Sequence, residues 1–227
     1  MQAERSERGS KPSSRGDQTR AAVLSKAAEI ASREGLEALT IGRLARQLRM
    51  SKSGLFAHFG SKQRLQLATI ERAKENVSDE VFIPAETVPT GLARLWSLCD
   101  LWMKGIEREK HSPVHFFTAA IFAYGFRAGP IARASMAVTR EWLSALKRAS
   151  QEARELEEIR PEADIKDTPR QLMSIVTGGY GISLLGEPDA FTQARAAIVV
   201  RLHDLATDKI PPEAMESVKA WRKYLEK

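Results

Sequence analysis

Apolar residues recur at steps of three and four positions along most of this chain, the spacing that places side chains on one face of an α-helix. The clearest run follows Gly129-Pro130, where proline suits the first turn of a helix. It contains Ile131, Ala134, Val138, Trp142, Leu146, Ala149, Ala153 and Leu156. No alternating run of β-branched residues, the pattern of a strand, competes with it. The sequence therefore predicts an all-α fold.

Helix start and stop residues divide the rest of the chain. Thr40 and Ser61 are typical N-caps, while Gly35 and the Pro84 to Pro89 linker are typical stops. The predicted helices run from Thr19 to Gly35, from Thr40 to Leu48, from Ser51 or Lys52 to His58, from Ser61 to the linker, from Thr168 or Arg170 to Leu185, from Asp189 to Leu205, and onward from Pro211-Pro212. The charged run from Glu152 to Arg160 is expected to be the solvated end of the long helix.

Positive charge is concentrated near the N-terminus. Residues Met1 to Leu65 carry 13 Lys and Arg against 6 Asp and Glu, whereas the remainder carries 22 against 23. A basic head on a neutral body is expected to bind a polyanion, because neutralising phosphates releases counterions. Both DNA and an anionic membrane fit this description, so charge alone leaves both partners open.

The sequence lacks the residues that several kinds of functional site require. Cys99 is the single cysteine, which excludes an intrachain disulfide and a cysteine zinc site. No nucleophile with a base, phosphate-binding loop or metal cluster is recognisable, so we expect neither an enzyme nor a cofactor. No stretch approaches the roughly 20 apolar residues that span a bilayer, and the N-terminus lacks the apolar core of a signal peptide. These features predict a cytoplasmic protein.

His111 and His115 have the i, i+4 spacing of a helical metal pair. Ser112-Pro113 between them is expected to start a helix after His111, which takes the two imidazoles off a common face. We therefore interpret both histidines as structural.

The segment from Leu39 to Lys62 has the pattern of a helix-turn-helix, with two short helices joined by a tight turn. The positions expected to face inward are Ala45 at the helix crossing, Leu48 and Met50 in the turn, and Leu55 and Phe59 on the second helix. The outward positions are Lys52, Ser53, Gly54, Phe56 and His58. Because the N-terminal residues of the second helix enter the major groove in such motifs, the pattern indicates DNA binding.

This segment resembles the DNA-binding domain of the TetR family of transcriptional regulators. The resemblance spans Thr19 to Leu65 and rests on a first helix that ends in glycine, then LTIGRLARQL, then SKSGLFAHFGSKQRL with its closing Phe-Gly-Ser-Lys. The rest of the chain is similar to that family only in being helical and of the right length. The resemblance implies a homodimeric repressor that binds a palindromic operator and is released by a small molecule.

The resemblance also implies roles for individual residues. Thr40 and Lys62 would bind phosphates. Alternatively, Lys62 would be a surface lysine without a contact to DNA. Lys52 and Ser53 would face bases, and Lys52 is the strongest candidate because lysine can donate to guanine O6 and N7. His58 would lie against the DNA backbone or pack in the protein.

Two positions depart from the family's pattern. Phe56 stands where the family usually has tyrosine, so a hydroxyl that commonly bonds phosphate is missing, and the ring is expected to touch a thymine methyl or to pack. Arg49 stands where the turn usually has glycine, and a left-handed arginine costs roughly 1 kcal/mol. Its charge would recover part of that cost on DNA, so Arg49 is also a DNA-binding candidate.

Three segments follow from the pattern and the resemblance together. Residues 1–16 are rich in Ser, Arg and Gly and are expected to form a disordered basic arm. Residues 17–65 are expected to be the helix-turn-helix DNA-binding domain, a three-helix head. Residues 66–227 are expected to be a larger helical domain for ligand binding and dimerisation.

Aromatic residues are dense between Trp96 and Trp142, which marks where a pocket for a small apolar ligand would form. Its expected walls are Trp96, Cys99, Phe117, Phe122, Tyr124, Trp142 and Met173. The same aromatic residues would alternatively fill a solid core, and the sequence leaves the two readings nearly even. Cys99 is more typical of a buried apolar residue than of a redox sensor.

The predicted dimer interface uses the helices at 170–185 and 189–205. Gly178, Gly179 and Gly181 would allow close approach of two backbones, or alternatively kink a core helix. The apolar area is expected from Leu172, Ile175, Val176, Ile182, Ile198, Val199 and Leu202. Two chains would then form a four-helix interface.

The competing hypothesis is a basic helical protein that binds anionic membrane or other partners without reading a DNA sequence. Saturable and sequence-dependent binding to promoter fragments favours the regulator. Equal binding to lipid vesicles favours the competing hypothesis.

Overall fold

Polar turns and capping side chains divide the chain into helices, as a computed structural model shows for residues 15–108 and 112–208. In chain order these are α1 (Arg15–Glu34), α2 (Ile41–Leu48), α3 (Lys52–Phe59), α4 (Lys62–Val77), α5 (Ile83–Glu86), α6 (Leu92–Arg108), α7 (Pro113–Tyr124), α8 (Pro130–Glu155), α9 (Thr168–Ser183) and α10 (Ala190–Leu205). A 3₁₀ turn (Leu36–Ala38) follows α1, and a π-helical turn (Ser78–Phe82) follows α4. Over these ranges the only β-type pairing is a bridge between Ile159 and Ala206, so the all-α prediction is confirmed. None of the helices described is both long and apolar enough to cross a membrane.

The predicted helix starts at Thr40, Ser51 and Ser61 are confirmed as N-caps. In each case the side-chain oxygen accepts a hydrogen bond from the backbone N–H three residues later, at 3.2, 3.0 and 3.1 Å. Gly35 ends α1 with a φ of +80°, a conformation that glycine adopts without steric cost. Ser112 caps α7 as predicted, while His111 lies outside the described residues.

Helix α8 confirms the long amphipathic helix predicted from Gly129-Pro130. Its buried stripe includes Val138, Trp142, Leu146, Ala149 and Ala153. The charged run after it differs from expectation, because Glu158 and Ile159 are only 2% and 1% exposed. The prediction of a solvated end is therefore wrong at these two residues, where the chain returns into the body after a left-handed Glu157.

The segment between α4 and α6 is more helical than predicted. The backbone continues from Val77 through the π-helical turn into α5. Pro84 lies in the first turn of α5, where its missing N–H needs no partner. The prediction of a linker that starts at Pro84 is therefore wrong, and the non-helical connection is confined to the residues between α5 and α6.

Two predicted segments extend beyond the described residues. The expected N-terminal arm, residues 1–16, lies outside them except for Arg15 and Gly16. Both belong to α1, so the predicted boundary of the arm is wrong by those two residues. The helix predicted from Pro211-Pro212 lies entirely outside the described residues.

Two apolar cores account for the arrangement of the helices. The head core consists of Val23, Leu24, Ala27, Ile30, Leu39, Leu44, Ala45, Leu55, Phe59 and Leu65. The body core includes the stacked rings of Trp102 and Trp142, whose centroids are 4.2 Å apart. Helices α1 and α4 contribute to both cores, since Ala28, Ile70 and Val77 belong to the body core. The same two helices therefore hold the head on the body.

Glu158 is a buried residue whose hydrogen bonds join three parts of the body. Its Oε2 accepts a hydrogen bond from the Leu92 N–H at the start of α6, and its carbonyl oxygen accepts one from Thr207 just after α10, both at 2.8 Å. A Cβ at Gly91 would lie 2.1 Å from Oε2, so glycine is needed there. Burial raises the pKa of Glu158, and the hydrogen bond from Leu92 offsets part of that rise.

Lowering the pH is expected to stabilise the protein through Glu158, because a carboxyl group with a raised pKa binds its proton more tightly in the folded state. This contribution is complete below the ordinary pKa of 4.5 and is lost as the pH rises through the raised value. Denaturant unfolding of the wild type and of Glu158→Gln across this range measures it. The wild-type free energy of unfolding should rise relative to that of the variant as the pH falls, and a constant difference would contradict the assignment.

Candidate nucleic-acid interface

The turn between α2 and α3 closes around Arg49. Arg49 has a φ of +53° and a ψ of +37°, which is the left-handed conformation that the sequence led us to expect. The Met50 N–H donates to the Ala45 carbonyl at 2.9 Å, and the Arg49 N–H donates to the Arg46 carbonyl at 3.3 Å. These bonds satisfy two carbonyl groups in the last turn of α2 and fix the direction in which the chain enters α3.

Buried side chains hold α3 against α2. Ala45 is 2% exposed where the helices cross, and Leu55 and Phe59 are 0% and 4% exposed. Leu48 and Met50 are partly buried and pack against the same core. The inward face predicted for the helix-turn-helix is confirmed, and the orientation of α3 follows from it.

One face of the N-terminal half of α3 is exposed to solvent. Lys52, Ser53 and Phe56 are exposed, with Phe56 at 54%, whereas Gly54 and His58 are partly buried. The Lys52 side chain extends across α2, where a Cβ added to Gly42 would lie 3.4 Å from Lys52 Cε. An open depression between the helices is lined by Ile41, Gly42, Lys52, Ser53, Phe56 and Ala57. This face offers an ammonium, a hydroxyl and an aromatic ring to an approaching ligand.

The two predicted phosphate contacts lie at helix N-termini, where backbone N–H groups favour anions. Thr40 is exposed as the N-cap of α2, and Lys62 is the first residue of α4. The Lys62 Nζ is 3.4 Å from Glu37 Oε2 and 3.3 Å from the Glu37 carbonyl oxygen. Sequence reasoning missed this pairing because 25 positions separate the residues. A phosphate at Lys62 would therefore compete with the Glu37 carboxylate.

Arg46 is an exposed basic residue that sequence reasoning also missed. It follows Gly42 by one helical turn, so it lies on the face of α2 that Lys52 crosses. The i, i+4 spacing from Gly42, which places both residues on one face of α2, could have identified Arg46 from the sequence. Arg43, by contrast, forms a two-point ion pair with Glu34, whose pKa it lowers. Arg43 is thus engaged within the head, while Arg46 remains exposed.

The residues predicted to wall an apolar pocket are mostly packed in the body core. Cys99, Phe117 and Trp142 are 0% exposed, and Trp96 and Tyr124 are each 8% exposed. The Trp142 indole N–H donates to the Leu98 carbonyl at 3.3 Å. Burial raises the pKa of the Cys99 thiol, as expected for an unreactive cysteine. This packing favours the solid-core alternative at these positions.

Phe122 and Met173 differ from the other predicted walls. Phe122 is 57% exposed near the end of α7, with its ring 6.0 Å from that of Tyr180. Its expected place in the interior is wrong, because α7 packs by the opposite face, which carries Phe117 and Ala120. Met173 is partly buried on α9 and packs against the body core.

The residues predicted for a dimer interface divide between the interior and the surface. Leu172, Val176, Ile198, Val199 and Leu202 are buried in the body core, so their assignment to an intermolecular surface is wrong. Ile175 is partly buried, and Gly179 lies against α10, where an added Cβ would be 3.0 Å from Ala194 Cβ. Gly178 and Gly181 face open space, and Ile182 is 47% exposed. Helices α9 and α10 therefore pack on each other and leave a separate outer face.

A helical body with a capped helix-turn-helix whose exposed first turn is basic defines a DNA-binding regulator. A family model described as "Bacterial regulatory proteins, tetR family" matches residues 23–69. A second, described as "Tetracyclin repressor-like, C-terminal domain", matches residues 91–198. The chain belongs to the TetR family of transcriptional regulators.

Solved structures share this fold at low sequence identity. A TetR-family regulator from Cytophaga hutchinsonii is 14% identical, with a TM-score of 0.74 and coverage of 87% of this chain and 100% of its own. One from Streptomyces coelicolor is 21% identical, with a TM-score of 0.67 and coverage of 84% and 97%. A protein described as a transcriptional regulator from Saccharomonospora viridis, solved in complex with choline, is 16% identical, with a TM-score of 0.65 and coverage of 92% and 96%. None of the curated proteins matches the chain.

Replacing Arg49 with glycine is expected to raise the free energy of unfolding by up to about 1 kcal/mol, because glycine adopts the left-handed conformation without a Cβ clash. The greater freedom of glycine in the unfolded chain offsets part of the gain. Thermal denaturation measures the change. Arg49→Ala is the matched control, since alanine loses the guanidinium but keeps the clash. A glycine variant of unchanged or lower stability would contradict strain at this position.

Lys52→Ala is expected to weaken specific DNA binding by roughly 1 to 3 kcal/mol and to relax the preference at one operator position. Lys62→Ala is expected to weaken binding to all sequences about equally, because a phosphate contact carries no sequence information. Glu37→Gln, which releases Lys62, is expected to strengthen binding to all sequences. Titration of a panel of single-position operator variants at fixed salt measures these effects. Uniform losses for both lysine variants would show that α3 is not the reading helix.

Proposed function

We propose that the protein is a homodimeric repressor that reads a palindromic operator through α3 and leaves it when a small molecule binds the body. The observation that carries this proposal is the exposed first turn of α3, where Lys52, Ser53 and Phe56 project from a helix capped by Ser51. In this proposal residues 17–65 form the DNA-binding domain. Residues 66–227 form the ligand-binding and dimerisation domain.

Base reading would begin at the first turn of α3. The Lys52 ammonium can donate to guanine O6 and N7, and the Ser53 hydroxyl can bond a base edge. The exposed Phe56 ring can contact a thymine methyl, which gives an apolar role to the position that lacks a tyrosine hydroxyl. These contacts would supply the sequence preference.

Phosphate contacts would supply affinity that does not depend on sequence. Thr40 and Lys62 lie at the N-termini of α2 and α4, and His58 lies near the end of α3. Arg46 and Arg49 add exposed positive charge at the end of α2. Because these groups displace counterions from DNA, binding is expected to weaken steeply as salt is raised.

Dimerisation through the outer face of α9 and α10 is supported by exposed residues at helical spacing. On α9 these are Ser174, Gly178 and Ile182, and on α10 they are Gln193, Ala197, Val200 and Asp204. Gly178 leaves open space into which a second backbone can approach. Two such helix pairs would form a four-helix interface and hold two recognition helices about 34 Å apart, one turn of DNA.

Ligand-controlled release is supported by family membership and by the relative solved with choline. An apolar ligand between Trp96 and Met173 would have to open the core, since Phe117 and Trp142 there have no exposed surface. Release requires that the ligand prefer the DNA-incompetent arrangement by about 1 to 3 kcal/mol, and operator DNA then weakens ligand binding by the same factor.

Selection of DNA fragments from a random pool by the purified chain tests the proposed function. The expected result is one enriched site with two-fold symmetry and half-sites one helical turn apart. The same preparation is mixed with anionic and neutral lipid vesicles. Failure to enrich any sequence, together with binding to the anionic vesicles, would support the membrane-binding alternative instead.

Gly178→Lys is expected to convert a dimer into a monomer, because its long charged side chain would occupy the space of the partner backbone. Gly178 has no atoms within 4 Å of an added Cβ, so the fold of the protomer should be retained. Light scattering measures the mass, and circular dichroism checks the helical content. Gly178→Ala, which adds one methyl group, is the control and should remain dimeric. A monomeric wild type or a dimeric lysine variant would contradict this interface.

A further inference from the structure

Gly42 on α2 leaves space in the open depression between α2 and α3. An added Cβ at this position would lie 3.4 Å from Lys52 Cε and 3.9 Å from Lys52 Nζ. Apart from the neighbours of Gly42 in the chain, no other side chain of the described residues comes within 4 Å of that Cβ. The remaining walls are apolar, since Ile41, Phe56 and Ala57 carry no polar side-chain atom. A small apolar group can therefore enter between the two helices.

Lys52 and Ser53 form the polar part of the same depression. Over residues 15–108 and 112–208, no carboxylate pairs with the Lys52 ammonium. The Ser53 hydroxyl is 3.2 Å from the hydroxyl of Ser51, which caps α3, so Ser53 is partly engaged within the head. The Lys52 ammonium is therefore available to an acceptor on a base edge.

The chemistry of the major groove decides which group fits this depression. Thymine is the one unmodified base that presents a methyl group there, and the other base edges present hydrogen-bonding groups. Apolar walls favour a methyl group, because a buried amino or carbonyl group without a partner is costly. Successive base pairs are about 3.4 Å apart. With Lys52 Nζ 3.9 Å from the Cβ position of Gly42, the ammonium and the depression match neighbouring base pairs.

We propose that the depression at Gly42 is a receptor for the 5-methyl group of a pyrimidine, next to the guanine whose O6 and N7 accept from Lys52. Thymine supplies this methyl group, and 5-methylcytosine supplies the same one. Methylation of a cytosine at this position therefore strengthens binding of the operator. Occupation of the receptor requires that α3 read DNA, so it rests on the proposed function. It adds Gly42 of α2 as a residue that determines specificity.

Titration of the full chain with four forms of the selected operator tests the receptor. The guanine is the position at which Lys52→Ala relaxes the preference. The pyrimidine beside it, in one half-site, is made thymine, deoxyuridine, cytosine or 5-methylcytosine. Thymine should bind about fourfold more tightly than deoxyuridine, and 5-methylcytosine about fourfold more tightly than cytosine, the effect expected from burying one methyl group. Each pair differs only in that group, so neither ratio depends on the hydrogen-bonding edge.

Gly42→Leu fills the depression and should abolish both ratios, because the methyl group then has no space. Arg46→Leu is the matched control. It introduces the same side chain one turn further along the same face of α2, at a position that does not line the depression. It should weaken binding of all four forms through the lost positive charge, and both fourfold ratios should remain. Circular dichroism checks that the two variants keep the helical content of the wild type.

Equal affinities within both pairs would overturn the receptor while leaving the proposed function in place. Ratios that Gly42→Leu leaves unchanged would show that the methyl group is read elsewhere, and would also overturn it. Loss of the ratios in Arg46→Leu as well would assign them to the general fit of α2 on DNA and contradict a specific role of Gly42. A chain that selects no operator would refute the proposed function and the receptor with it.

Discussion

The burial of α4 in two cores at once is the constraint on which the other features depend. Leu65 is completely buried in the head core, and Ile70 and Val77 are buried in the body core. Burying each such side chain stabilises the folded state by about 1.5 to 3 kcal/mol, so removing α4 from either core has a large free-energy cost. The left-handed Gly60 and the Ser61 cap attach α3 directly to the start of this helix. The direction of α3 is therefore set by where α4 lies in the body.

Polar contacts also hold the 3₁₀ turn after α1 against α4. The Gln66 Nε2 donates to the Leu36 carbonyl at 2.8 Å in buried surroundings, and Lys62 binds the next residue, Glu37. Burial raises the pKa of the Tyr124 hydroxyl at the end of α7, and the nearby Glu37 carboxylate raises it further. The Glu37 carboxylate therefore pairs with Lys62 and also raises the pKa of Tyr124 on α7.

Features set by neighbours in sequence were predictable, and features set by distant partners were not. The caps at Thr40 and Ser61 depend on atoms three residues away, so the pattern of residue types was sufficient. The pairing of Lys62 with Glu37 depends on how two turns meet in space. The dimer prediction failed in part for the same reason. An apolar stripe on α9 shows that Leu172 is buried, but the pattern cannot say whether α10 or a second chain covers it.

The dense aromatic cluster and the empty space lie in different parts of the helical body. The rings of Trp102 and Trp142 stack, and their N–H groups donate to the Thr118 hydroxyl and the Leu98 carbonyl at 2.9 and 3.3 Å. A ligand that enters there would leave such buried donors without partners, at about 1 to 3 kcal/mol for each. Empty space remains instead beside the π-helical turn, where the backbone departs from regular helix geometry. Filling existing space would break none of these hydrogen bonds and would incur no such cost.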